Sequence, residues 1–314
     1  MTMTHAACRF ALVLALLTSG AAAQDYSYTS PDSAVRINGG IGALYLRGNE
    51  YVFTGDATLS QLIWETRAPV LRGSLAVDVG SGFSLSAEGS VAGFGSSYME
   101  DYDWLVRTNN FDNWTHRSQH PDTRMEHYVT GAAMVGYDLV KDPDAVVRMQ
   151  AGVKYSDVKW SAYGGSYIYS SNGFRNVTGN IPDGTIAGSY RQMLPEVFVG
   201  FDGDQTYGNI RVGGMLRGGL TVLAQSRDNH WLRDLLIVDN FRPAPTFAAG
   251  LDVGFSFGPM AEFVVAARYD QAFQMRGKSE YFDTRTGVRT IVDDNIGGAD
   301  LRSAEITAGL RGRF

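Results

Sequence analysis

The sequence has a single cysteine, Cys8, and the residues around it read as a secretory signal. His5 and Arg9 make a weakly basic start. Phe10 to Leu17 is an apolar run too short to cross a bilayer as a helix, and Ala21-Ala22-Ala23 supplies the small residues of a cleavage site. A signal over residues 1–23 leaves one mature domain over 24–314 without a thiol, which excludes disulfides and cysteine chemistry there. No apolar run of about 18 residues follows, so no membrane helix is expected. Proline is sparse, at 9 residues, and Lys plus Arg (27) fall short of Asp plus Glu (33). The resulting net charge of −6 argues against nucleic acid as a partner and for a basic one.

Glycine (37), tyrosine (16) and phenylalanine (16) are plentiful, which suits a large sheet. The dominant signal is alternation with a period of two. Ile210, Val212, Gly214, Leu216, Gly218, Leu220 and Val222 share one face, with Arg211 and Arg217 on the other. Leu71, Gly73, Leu75, Val77 and Val79 alternate with Arg72, Ser74, Ala76 and Asp78. Val147 to Tyr155 and Ala261 to Phe273 behave alike, with Arg148, Gln150, Lys154, Glu262, Arg268 and Asp270 on their polar faces.

A soluble sandwich alternates too, and charged faces do not separate the two architectures. The spacing of the breaks and the last strand do. Short turns rich in Gly, Pro and Asp fall near Val79–Phe83, Lys141–Ala145, Asp202–Gly208 and Phe257–Met260. Long polar segments fall near Arg47–Asp56, Gly95–Thr123, Tyr163–Gly188, Gln225–Asp239 and Arg276–Ala299. Together they join about ten strands, an even number as single-chain barrels prefer. The chain ends on an alternating strand whose last residue is Phe314, as outer-membrane strands commonly do. The expected fold is therefore all-β: a transmembrane antiparallel β-barrel of about ten strands with long extracellular loops, closed because lipid cannot satisfy an open edge. Strands longer than the roughly 10 residues lipid requires, such as Leu59–Val79, are expected to stand above the membrane.

The candidate chemistry lies in three of the polar segments. One carries Glu100, Asp101, Asp103, His116, His120 and Asp122, another Asp228, His230, Asp234 and Asp239, and a third Glu50. In an extended stretch, Asp101 and Asp103 point the same way, as do Asp228 and His230. A carboxylate beside a histidine orients the ring and raises its basicity, so the imidazole can take a proton from water. Two close carboxylates titrate as a pair. Facing each other, the two pairs would hold and activate one water. Solvated loop charges, a zinc site on His116 and His120, and a Ser118 nucleophile beside His120 are the alternatives the residues allow.

Met99-Glu100-Asp101-Tyr102-Asp103-Trp104, the Trp114–Thr123 stretch with His120-Pro121-Asp122-Thr123, and Gly164-Gly165-Ser166-Tyr167-Ile168-Tyr169-Ser170 together resemble the omptin family of outer-membrane proteases. Asp228-Asn229-His230 falls where that family carries an Asp-His pair, and the order of strands and loops matches from about Ile37 to Phe314. The resemblance implies a ten-stranded barrel in the bacterial outer membrane, with a groove on its extracellular side that cleaves peptides at basic residues. It implies Asp101 and Asp103 as the aspartate pair, Asp228 and His230 as the dyad, His120 in a supporting role and Glu50 as an acid for the substrate's basic side chain. It implies no metal and no organic cofactor, with lipopolysaccharide as an activating lipid held by outward basic residues, here Lys154, Lys159 and Arg191. Two positions depart from the family pattern. Ser226 stands where a second pocket acid is expected, and Asp157 where an arginine is expected for the lipid. The same fold without catalysis, an adhesin-like binding barrel, is the rival reading. A porin is disfavoured, because inward Arg72, Arg211, Arg217 and Arg268 with their acids should plug a barrel this narrow.

Overall fold

Side chains that alternate in polarity can satisfy their backbone only by pairing with neighbours on both sides, and here every strand does so. The computed structural model describes residues 35–106, 110–258 and 260–314, the side chains of 292–294 excepted. The predicted signal lies outside the described residues. The strands are β1 (Val35–Thr54), β2 (Ala57–Gly80), β3 (Phe83–Ala92), β4 (Ser96–Asp103), β5 (His116–Asp142), β6 (Ala145–Tyr169) and β7 (Val177–Tyr207). They continue as β8 (Ile210–Thr221), β9 (Gln225–His230), β10 (Leu235–Phe241), β11 (Pro245–Ser256), β12 (Ala261–Asp283) and β13 (Arg289–Arg313).

Three pairs of these segments are single staves interrupted once. β3 and β4 both lie between β2 and β5; β8 and β9 both flank β7; β10 and β11 both flank β12. The ring therefore has ten staves, all antiparallel, and β1 closes it against β13 from Arg36↔Arg313 to Val52↔Gly297. The Val35 amide donates to the Phe314 carbonyl at 3.0 Å, so both ends of the described chain meet at the short-turn end.

The exterior carries an apolar band, with Ile41, Leu85, Val153, Val199, Leu216, Leu251 and Ile306 exposed. Leu251, 69% exposed at the middle of β11, tests the band's role. Leu251→Arg is expected to cost about 2–4 kcal/mol, as a cation on the lipid face at mid-bilayer does. Equilibrium refolding into vesicles measures it; a loss near zero would place Leu251 out of lipid.

Behind the band the interior is an ion-pair lattice. Glu88 is bridged by Arg72 (3.1 Å), by Arg268 (2.7 Å) and by Arg217. Asp270 joins Arg268 (2.6 Å) to Lys154 (2.8 Å). Above this lattice lies an aromatic floor in which Trp64 stacks on Trp160 and Tyr190 at 6.0 and 5.9 Å. Trp160 Nε1 donates to Thr66 Oγ1 at 2.8 Å, giving the buried indole its partner.

The five polar segments all sit at the end opposite the short turns, but strand runs through most of each. β1 reaches Thr54, β4 and β5 occupy much of Gly95–Thr123, and β9 and β10 span most of Gln225–Asp239. These residues are polar because they clear the lipid, not because they leave the ladder.

Candidate active site

β4 is extended through Asp103, so Asp101 and Asp103 share the inward face while Tyr102 turns away into an aromatic group with Trp104 and Phe111. Cross-strand register aligns the rest. Glu50 pairs with Leu62, and Leu62 with Asp101, which itself pairs with Ser118. On the facing wall, β9 presents Ser226, Asp228 and His230 inward and Arg227 outward, and Asp228 lies opposite Tyr190 of the aromatic floor.

Asp101, Ser118, His120, Asp228 and His230 line one cleft of about 70 Å³, with Tyr169 and Arg233 at its side. That is room for water between polar partners. Asp228 Oδ2 lies 2.5 Å from His230 Nε2. The Asp228 charge raises the basicity of His230 above the usual imidazole range, against the opposing effect of burial. Burial, and then the charge of Asp103, push Asp101 up to about 7. Burial likewise raises Asp103. Both aspartates are therefore harder to ionise than a solvated carboxyl.

His120 has a different role. Its Nδ1 donates to the Gly164 carbonyl at 2.6 Å, leaving Nε2 to accept from Ser118 Oγ at 3.1 Å. Burial lowers its basicity. Gly164 and Gly165 make this contact possible. Both have positive φ, and a Cβ on Gly165 would lie 2.8 Å from His120 Nδ1. With a neutral carbonyl as partner and no carboxylate, His120 is the weaker base of the two histidines and a poor activator for Ser118. The zinc reading fails on distance: four residues along an extended strand separate His116 from His120 by about 13 Å, too far for one ion with bonds near 2 Å.

Glu50 is buried and does not line the cleft, and burial followed by the charges of Asp228 and Asp239 holds it well above the usual carboxylate range. Two residues of this region went unassigned in the sequence. Arg233 lies in the cleft wall because a short helical turn, Trp231–Arg233, follows His230. Asp239, noted only as a loop acid, faces Ser226 across the β9–β10 ladder. The hairpin register that pairs them was the missing signal.

The outward basic group is corrected at one position. Lys154 points into the barrel and is bound to Asp270, because on β6 it shares the polar face of Arg148 and Gln150 rather than the lipid face of Val153 and Tyr155. It cannot meet a lipid headgroup. Lys159 and Arg191 do face outward, paired with Glu126 (2.7 Å) and with Asp157 (2.5 Å), while His127 also reaches Asp157 at 2.9 Å.

Comparison with known proteins agrees with this architecture. The chain is 26% identical over 307 residues to the plasminogen activator of Yersinia pestis, covering 96% of each chain. It is 27% identical to the outer membrane protease OmpP of Escherichia coli (strain K12), covering 87% of this chain and 88% of that one. Among solved structures, the outer membrane protease OmpT from Escherichia coli superposes with a TM-score of 0.84 at 24% identity, covering 92% of this chain and 99% of that one. The profile of the Omptin family matches residues 31–314. The chain is a bacterial outer-membrane β-barrel and belongs to the omptin family.

Proposed function

We propose that the protein is an outer-membrane endopeptidase that cleaves at basic residues, with its cleft facing the cell exterior. The single observation that carries this reading is the convergence of Asp101 with the Asp228–His230 pair on one water-sized cleft. The names of its relatives, a plasminogen activator and an outer membrane protease, point the same way. Water held between the pairs gives a proton to His230 as its oxygen adds to the scissile carbonyl carbon. Asp228 keeps Nε2 protonated, so Nδ1 takes that proton and later passes it to the leaving amine. A proton on Asp101, favoured by burial and the nearby charge of Asp103, would stabilise the developing oxyanion. Acids around the cleft, and the chain's negative charge, favour basic peptides or proteins as substrates. The proposal requires no metal, organic cofactor or nucleic acid. Outer-leaflet lipopolysaccharide remains the proposed activating lipid, reached by Lys159 and Arg191 alone.

The test is cleavage of quenched peptides with Arg-Arg or Lys-Arg bonds by the barrel reconstituted with lipopolysaccharide. No cleavage by a folded barrel would favour the binding-module reading. The pH profile adds a sign. A base works deprotonated, so activity should fall as pH drops through the raised His230 value. Asp228→Asn removes the cause of that rise, and the acid limb of kcat/KM should move to lower pH as the rate declines. An unmoved limb would remove His230 from the base role.

A further inference from the structure

On β9 the inward residues descend from the cleft as His230, Asp228 and Ser226, so Ser226 lies one step below the dyad. The serine is neutral, but its neighbour is not. Ser226 pairs with Asp239 across the β9–β10 ladder, and Ser226 Oγ donates to Asp239 Oδ2 at 3.1 Å. From the other side Ser279 Oγ donates to Asp239 Oδ1 at 2.5 Å. Position 297 must be small for this carboxylate to fit: a Cβ on Gly297 would lie 2.3 Å from Asp239 Oδ1. The region is above the lipid, since the outward residues at this level are Gln225, Arg227 and Asn240, hydrogen-bonded to one another.

Asp239 is 3% exposed and Glu50 2%. Burial pushes Asp239 up to about 6. Asp239 feels burial, the hydroxyls of Ser279 and Ser226 and the charge of Asp228, and Glu50 feels burial and the neighbouring carboxyls of Asp228, Asp239 and Asp101. Glu50 Oε2 is buried with no donor from another residue type among the described residues, and its neighbour is the Asp228 carboxyl, with which Glu50 shares a hydrogen bond. After burial, the charges of Asp239, Glu50 and Asp228 all raise the Tyr281 hydroxyl above its ordinary range. Buried carboxyls either keep a proton or ionise when a cation arrives to pair with them. Each oxygen of Asp239 retains acceptor capacity beyond its serine bond.

We propose that Asp239 is a specificity-determining residue for the substrate's basic side chain, joining Glu50, whose role the family resemblance already implies, and supplying across the ladder the negative charge that Ser226 does not. This rests on the endopeptidase reading and adds the residue that sets its charge preference.

The test uses peptides that differ only in arginine, lysine or glutamine before the cut. In Asp239→Asn, KM for the arginine peptide should rise about 10- to 100-fold, the worth of one hydrogen bond to a charged group. The glutamine peptide and kcat should change little. The double exchange Ser226→Asp with Asp239→Ser returns the charge to β9 and should restore arginine preference. Heat-modifiable gel mobility reports whether each barrel has folded. An unchanged arginine-to-glutamine ratio in folded Asp239→Asn overturns the proposal. If that variant does not fold, the double exchange decides: retained arginine preference supports the pocket, and its loss overturns it. If the wild type cleaves no peptide, the endopeptidase reading fails separately, and binding of a fluorescent arginine peptide judges the pocket. Binding weakened by the same factor in Asp239→Asn supports it, and equal binding overturns it.

Discussion

Replacing His230 with alanine is expected to cut kcat by roughly 10²- to 10⁴-fold, the range a positioned general base supplies. KM for a basic peptide should stay close to the wild-type value, because the acids that receive the basic side chain lie deeper than the ring. The arrangement leaves no ready substitute. Asp228 touches His230 at Nε2, and without the ring it faces a gap instead of the water. Asp101 holds its proton up to about 7 and is therefore a weak base near neutrality. His120, with its basicity lowered by burial and its Nε2 taken by Ser118, is no better. Steady-state assays on the reconstituted barrel separate the two parameters. A variant retaining more than about a tenth of wild-type kcat would assign proton transfer to another group, because even the low end of the range exceeds tenfold.

Replacing Glu88 with alanine should destabilise the barrel by about 3–5 kcal/mol, the cost of leaving buried charge without its partner. Three guanidiniums converge on this carboxylate: Arg72, Arg217 and Arg268. Arg72 keeps Glu305 at 3.2 Å and Arg268 keeps Asp270, whereas among the described residues Arg217 keeps no second ion pair, its contacts being the sulfur of Met134 and the Phe198 ring, with the Asp202 charge nearby. The largest share of the loss should therefore pass through Arg217, and Glu88→Ala with Arg217→Met should recover part of it. Urea unfolding in detergent micelles measures both. A loss below about 1 kcal/mol, the range of exposed pairs, would mean that water already solvates these arginines inside the barrel.

The ten-stave ring was legible because each segment writes its own inward and outward faces in a period of two, and because the four short turns and the terminal Phe314 mark its ends. The paired spacing of Asp101 with Asp103 and of Asp228 with His230 was legible for the same reason: two residues apart on a strand means one face. What the sequence hid was register between strands. Ser226 reads as a missing acid until the β9–β10 hairpin sets Asp239 opposite it. Lys154 is a different case: its parity with Arg148 was already legible and contradicts an outward role, and that parity puts it beside Asp270. Arg233 depends on a helical turn too short to have a periodic signature.

The continuation of the staves beyond the apolar band has a consequence for when the protein becomes active. Glu50 comes from β1, the acid pair from β4, the dyad from β9 and Asp239 from β10, and none of these segments can hold its depth until both its neighbours are paired. β1 gains its second neighbour only when it meets β13. Under the proposed function, a chain in transit to the outer membrane thus carries every reactive residue while remaining harmless to its surroundings. The seam between the first and last staves acts as the safety catch, and the onset of proteolysis would time its closing.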